Sequence, residues 1–534
     1  MPSDDTWNGQ IHRGIVVAQR GMVAASQPLA VSAGIGILRD GGSFADAAIA
    51  TSAVLAVVEP YNSHLGGDVF AIVWDQGARR ALAFNGSGRS PQQLEPRRYA
   101  DGIPIRGIRA ATVPGMVDAW CAIHQRFGRL PLSRLLEPAI EYAENGFPAG
   151  FRYAQVFTAH AESGQDWTGP VLRELTGLTG PPRPGQTIRQ PNLAQTLAAV
   201  ASSGRQGFYE GRVAQAIVDH SRAMGGFFEL SDLADHRTVV TQPLTTTYRG
   251  MTIHAQPPVS QGVILVEMLN ILEGYDLAAW GFGTPRCVHA MVEAKKLAFA
   301  DRIAMLGDPE RVADMSSVLA SKDFAARRRS RLDMSHAGSA DPEPEPGRDT
   351  TYFCIADREG NAISFIQSVY HAFGCGVVVP GTGVLLNNRL TGFSLDPQSP
   401  NALAPAKRPI HTLNAYVVTD GPQLRYVGGT PGGDVQVQSN LQVITSLVDF
   451  QMNVQQAVEA PRWQHVPDGD RMAIHAESRF GPELLRALEG LGHHVRRLGP
   501  WQHSSSYQLI EVDPNTGSYF GASDPRCDGH AAGL

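Results

Sequence analysis

The sequence predicts an α/β protein, and three observations carry that reading. Gly-punctuated, strand-like runs alternate with helical patterns through the first two-thirds of the chain. Asp46 to Val58 is Ala-rich and apolar nearly all round, as a buried helix is. A chain of 534 residues at 43% hydrophobic composition can close a large core.

In chain order, Pro28 to Arg39 spaces Leu29, Ala33, Ile37 and Leu38 as a helix does, and Gly41-Gly42 stops it. After the Ala-rich helix, Phe70 to Asp75 and Ala81 to Phe84 read as strands. Helical patterns follow at Val113 to Phe127, Leu132 to Asn145 and Val288 to Leu306. Ser335 to Asp349, SHAGSADPEPEPGRD, differs in composition from everything around it. It is Pro-rich, acidic and nearly free of apolar residues, so it should be an exposed, flexible linker. It ends at Thr350, where TTYFCIAD, the turn REGN and AISFIQSVY spell a β-hairpin. A flexible arm running straight into a core strand suits a chain that is cut at that junction.

Composition excludes some partners. A net charge of -6 with both signs scattered gives no basic footprint for nucleic acid or anionic membrane. The N-terminus lacks a basic region followed by an apolar one, and no apolar run reaches a membrane-spanning length. The expectation is a soluble cytoplasmic protein. Cys121, Cys287, Cys354, Cys375 and Cys527 are scattered, without metal-ligand spacing. They read as small buried hydrophobes, and neither metal nor cofactor is called for.

Two features carry chemistry. A threonine hydroxyl needs an adjacent base, and Thr350 as a chain's first residue would have its own α-amine, which titrates near ~7.7–8.0. A Thr-Thr pair alone is weak evidence. The second is GGTPGGD, Gly428 to Asp434, between the strand-like QLRYV and a helical run from Val435 to Val448. Such a turn exposes backbone N–H groups as an oxyanion hole requires, although a plain strand-to-helix connection looks the same.

At this point the chain resembles the γ-glutamyltranspeptidase family, from about Gly21 to Arg526. GMVAASQPLAVSAGIGILRDGGSFADAAIA resembles the family's N-terminal signature. VPGMVDAW, LPLSRLLEPAIEYAENGFP, PPVSQG, LNILEGYD, EAKKLAFADR and LGDP follow in family order. DTTYFCIADREGNAISF resembles its processing site, then come LLNN, KRP, GGTPGGD and GASDPR. The resemblance implies an αββα four-layer sandwich of the N-terminal-nucleophile hydrolase kind. It implies self-cleavage between Asp349 and Thr350 into a large subunit, 1–349, and a small one, 350–534, that stay associated. Dimerisation of that pair is left open. Thr350 would be the nucleophile, Ser368 the assisting hydroxyl, and Gly432 and Gly433 the oxyanion-hole donors.

The substrate pocket departs from the family. Its carboxylate-binding Arg becomes Ser87 within NGSGRSP, with Arg89 two residues on. Tyr370, Arg389 and Gly392 stand where an Asn, a Gln and an acid bind the glutamyl α-amine, and the paired serines after KRP become His411 and Thr412. A pocket that has lost its acid and gained a guanidinium should repel an ammonium and attract a carboxylate; a structural salt bridge for Arg389 is the competing reading. The stretch Ser394 to Lys407 is short, so no lid is expected, and an open site favours hydrolysis over transfer. GSGR, LNNR and KRPIHTLN look like the oxamate amidohydrolase and cephalosporin-acylase-like branch. The leading expectation is therefore hydrolysis of a small carboxylate-bearing amide. The alternatives are γ-glutamyl or glutathione hydrolysis or transfer, and a non-catalytic binding protein that keeps the fold.

Overall fold

The computed structural model describes residues 6–339 and 349–534. The 340–348 part of the expected flexible arm lies outside the described residues.

Two seven-stranded sheets face each other. The first runs, edge to edge, His530–Gly533, Gly21–Ala25, Asp349–Asp357, Ala362–Tyr370, Asp68–Asp75, Arg80–Gly86 and Val239–Thr241. The second runs Val16–Ala18, Tyr519–Ser523, Gln508–Val512, Gln423–Gly429, Tyr416–Asp420, Met251–Ala255 and Leu244–Tyr248. Neighbouring strands in both pair antiparallel.

Period-2 alternation sends the strand side chains into different layers. Phe353, Ile355, Ile363 and Phe365 face outward onto the helices Pro28–Arg39 and Phe44–Val58. Tyr352, Cys354 and Ile366 face inward and meet Val417, Val427 and Ile510 of the second sheet. The outer face of that sheet packs Ile253, Tyr416 and Leu509 against the helices Gly262–Leu272, Pro285–Met305 and Val435–Val448. Helix, sheet, sheet, helix is the αββα sandwich.

The expected elements differ mainly at their ends. The Ala-rich helix begins at Phe44 because Ser43 and Asp46 form a capping box. The helix expected from Val113 begins at Met116, after the turn at Pro114-Gly115; a Cβ on Gly115 would lie 1.8 Å from the Gly86 carbonyl oxygen, so only glycine fits there. The TTYFCIAD–AISFIQSVY hairpin forms as expected, with Asp349 as its first residue. Among the described residues no helix is long and apolar enough to cross a membrane.

Candidate active site

Thr350 sits near the end of the inter-sheet layer, on the inward face it shares with Tyr352, and is 3% exposed. The pairing of its strand with Ala362–Tyr370 shifts there: Asp349 opposes Tyr370 and Thr351 opposes Gln367. Ser368 and Val369 together therefore face Thr350, a bulge that re-aims side chains at a strand end. The result is a short relay in the uncut chain. Thr350 Oγ1 donates to Ser368 Oγ at 3.2 Å, and Ser368 Oγ donates to the Asp349 carbonyl oxygen at 2.7 Å. Tyr370 N–H donates back to Ser368 Oγ at 2.7 Å, with Tyr370 held at φ 83, a strained conformation for a bulky residue. The Asp349 carboxylate accepts from Ala372 N–H at 2.8 Å. Burial raises the Asp349 carboxyl, opposed by that N–H and by the charges of His160, Arg152 and Arg106.

The glycine loop comes from the other sheet. A Cβ on Gly429 would lie 2.5 Å from the Tyr352 ring, so only glycine lets this strand pass against the strand that carries Thr350. Gly432 and Gly433 follow at φ 128 and 57, ahead of the helix Val435–Val448. Among the described residues neither of their N–H groups has a protein acceptor. A clamp fixes the loop: Gln261 Nε2 donates to the Gly433 carbonyl at 3.2 Å, while Arg302 donates to Gln261 Oε1 at 2.9 Å and pairs with Asp434 through both terminal nitrogens. Gln261 and Arg302 belong to the PPVSQG and EAKKLAFADR motifs, whose order in the sequence was visible but whose role was not.

A cavity of about 570 Å³ opens beside the site, lined by Tyr370, Gly392, Phe393, Thr412, Arg302 and Asp434 among others. Ser394, Leu395, Ser399 and Asn401 of the short loop form one wall rather than a cover. Arg389 and His411 are fully buried and outside this lining. The Arg389 guanidinium stacks on the Tyr370 ring, 4.1 Å from its centroid.

Two expectations about the pocket need correction. The acid lost at Gly392 is matched by another: Arg389 Nε donates to Asp68 Oδ2 at 3.2 Å, a buried salt bridge of the kind the competing reading named. Asp68 lies on the neighbouring strand directly opposite Ser368. An acid therefore stands beside Arg389, delivered by a strand 321 residues away from it in the chain. Burial pushes the Asp68 carboxyl up to about 6, against the pull of Arg389 and the Gly88 N–H. The second correction concerns Arg89, which pairs with Glu310 and lines a different cavity with Arg408, Asp232 and His236. Its side chain is absent from the lining beside Thr350 because Glu310 draws it the other way.

Among the described residues several buried polar atoms here have no protein partner: Arg389 Nη1 and Nη2, both ring nitrogens of His411, and Thr412 Oγ1 on the cavity lining. Burial and the charges of Arg389 and Arg408 hold His411 well below the usual imidazole range, so it is neutral with one N–H to give. Unpaired buried donors of this kind cost stability unless something meets them.

Elsewhere, His289, Glu293 and His493 bring ligand atoms within 4.8 Å of one another. Both carboxylate oxygens of Glu293 are already taken, by Lys296 Nζ at 2.7 Å and Gly338 N–H at 3.0 Å. The two imidazoles bond each other at 2.8 Å. That network satisfies itself without an ion.

Fold and site together define an N-terminal-nucleophile hydrolase, with a threonine at the start of an inner strand of an αββα sandwich. Comparison with known proteins agrees. The γ-glutamyltranspeptidase family profile matches residues 30–534, and the chain belongs to that family. It is 38% identical over 528 residues to the glutathione hydrolase-like YwrD proenzyme of Bacillus subtilis, covering 97% of this chain and 99% of that one. It is 36% identical over 530 residues to the oxamate amidohydrolase proenzyme of Klebsiella pneumoniae, covering 97% and 99%. The crystal structure of cephalosporin acylase from Bacillus halodurans superposes with a TM-score of 0.92 at 36% identity, over 100% of this chain and 99% of that one. The chain is accordingly a hydrolase acting on amide C–N bonds.

Proposed function

We propose that the chain is a proenzyme that cuts itself between Asp349 and Thr350 and then hydrolyses the amide of a small carboxylate-bearing substrate, oxamate being the model compound. The observation that carries this is the relay from Thr350 through Ser368 to the Asp349 carbonyl. In the uncut chain the Asp349 carbonyl stands in for the substrate's acyl group. Thr350 Oγ1 attacks that carbon while Ser368 polarises its oxygen. The peptide C–N bond breaks as the nitrogen gains a proton, leaving an ester on Thr350. Water hydrolyses the ester, giving an Asp349 carboxylate and a free Thr350 α-amine.

The same hydroxyl then serves turnover. The α-amine takes the Thr350 proton, the oxygen attacks the substrate amide, and Gly432 and Gly433 N–H groups receive the oxyanion. Ammonia leaves with a proton, and water releases the acid from the acyl-enzyme. Departure of the Asp349 end, which pairs with Tyr370 in the uncut chain, opens the way to Arg389. The unpartnered Arg389 Nη1 and Nη2, with His411 and Thr412, form the carboxylate subsite. The fragments 1–349 and 350–534 stay together because their strands alternate: Gly21–Ala25 lies between His530–Gly533 and Asp349–Asp357.

One observation favours a second reading. Asp68 is a carboxylate beside Ser368, and it could receive the α-ammonium of a γ-glutamyl substrate if Arg389 gave way. A single comparison separates the two: kcat/KM for oxamate, its neutral counterpart oxamide, and a γ-glutamyl anilide. The anionic-amide reading expects oxamate to exceed both. It fails if oxamide equals oxamate, or if the anilide is fastest.

A further inference from the structure

Asp68 is the acid at the centre of the buried Arg389–His411 cluster, outside the cavity lining, and three groups face it. Its Oδ1 accepts from Gly88 N–H at 3.0 Å. Its Oδ2 accepts from Arg389 Nε at 3.2 Å and stands 3.8 Å from His411 Nε2. Arg408 acts on it from further away, and Tyr370 covers the far face of the guanidinium. Asp68, Arg389 and His411 are all 0% exposed.

The geometry fixes what Asp68 does to Arg389. By holding the Nε edge it turns the Nη1 and Nη2 hydrogens away from itself, and these two nitrogens are the ones without a partner. A guanidinium held at one edge offers a carboxylate a fork whose rotation has already been arrested. The charge count sets a second condition. Ionised Asp68 already neutralises Arg389, and His411 is neutral. A substrate carboxylate arriving at the fork would make two buried anions share one cation, an arrangement in which one carboxyl takes up a proton.

On the reading that Arg389 receives the substrate carboxylate, we propose that Asp68 is a positioning residue that orients the Arg389 fork and takes up one proton each time an anionic substrate binds. Protonated Asp68 still accepts from Gly88 and Arg389 through its remaining lone pairs, and His411 Nε2, 3.8 Å from Oδ2, can accept its new hydrogen. Its carboxyl already titrates near about 6 before any second anion arrives, so little further push is required. The consequence is selectivity tied to pH: anionic amides bind more weakly as pH rises above about 6, whereas neutral amides do not respond.

Calorimetry on the mature two-fragment enzyme tests this, with oxalate as the probe. Titrations at pH 7.5 in two buffers of different ionisation enthalpy count the protons moved. Wild type should take up about one proton per oxalate, and Asp68→Asn should take up none. Kinetically, KM for oxamate should climb by up to about tenfold per pH unit above pH ~6 in wild type. It should be flat in Asp68→Asn, while KM for oxamide is flat in both. Asp68→Glu should restore the proton count. No uptake by wild type overturns the proposal. Uptake that persists in Asp68→Asn overturns it as well, because the proton then belongs to another group such as the Thr350 amine. If Asp68→Asn does not fold, wild type and Asp68→Glu still decide through the proton count and the slope of KM. Equal handling of oxamate and oxamide at every pH would instead sink the anionic-substrate reading beneath it.

Discussion

At Thr350 the hydroxyl gives its hydrogen to Ser368, and Ser368 gives its own to the Asp349 carbonyl, that of the bond proposed to be cut. Ser368→Ala removes that donor from the scissile carbonyl. Loss of one such donor slows reaction by about 10²–10³-fold, so the variant should accumulate as uncut chain on a gel time course, and Ser368→Thr should recover cleavage. Arg389→Gln should lower kcat/KM for oxamate by about one to two decades, the worth of a charge-assisted hydrogen bond. It should also lower the melting temperature, because Asp68 would be left buried without its cation. The double change Asp68→Asn with Arg389→Gln should regain stability without regaining activity. Thr350, Ser368, Gly432 and Gly433 were singled out as candidates in the sequence because each sits in a short ordered motif. Asp68 was not: its position opposite Ser368 comes from strand pairing between distant segments. Whether Arg89 reaches the site could not be read, because nearness in sequence to the family's Arg position says nothing about Glu310, which claims its side chain.

Among elements, the loop from Gly428 to Asp434 is constrained at Gly432 by backbone conformation rather than by space. Gly432 has room for a methyl group, the nearest atom to a new Cβ being Val435 Cβ at 3.5 Å, yet its φ of 128 is one that L residues rarely adopt. Gly432→Ala should therefore re-aim the loop N–H groups rather than clash. The expected outcome is a kcat lower by about 10²–10³ with KM little changed; an unchanged kcat with a raised KM would make the loop a binding element. The helix after this loop was readable to the residue, Val435 to Val448, because a Gly-Gly turn and an apolar period bracket it. The clamp from Arg302 through Gln261 to Gly433 was not readable, since two helices and a loop from separate motifs must meet to make it.

Over the whole molecule, alternating patterns and an Ala-rich helix led to the α/β class, the family resemblance implied the four layers, and the sheet order could come only from the fold. The GASDPR motif gains its meaning here. Asp524 and Arg526 enter a buried ion cluster with Arg462, Arg479 and Glu477, with Arg526 Nη2 at 2.7 Å from Glu477 Oε2. Although burial raises the Glu477 carboxyl, Arg526 and Arg479 outweigh it and hold it far below the ordinary carboxylate range. Its contribution to stability is thus complete above the unfolded value near ~4.3 and is lost as pH falls through the much lower folded one. Glu477→Gln should cost about 3–5 kcal/mol at pH 7 in denaturant melts, and the gap to wild type should narrow below pH ~4. A gap that stays constant through that range would show that the cluster does not act through charge. The alternation of the two fragments within one sheet predicts that cut protein elutes as a single species under native conditions. The central claim, that Thr350 is made into a nucleophile by cutting the chain before it, is tested most directly on that species. N-terminal sequencing of the shorter fragment should give a chain that begins TTYFC. A fragment with any other first residue, or full activity in a chain that is never cut, would contradict it.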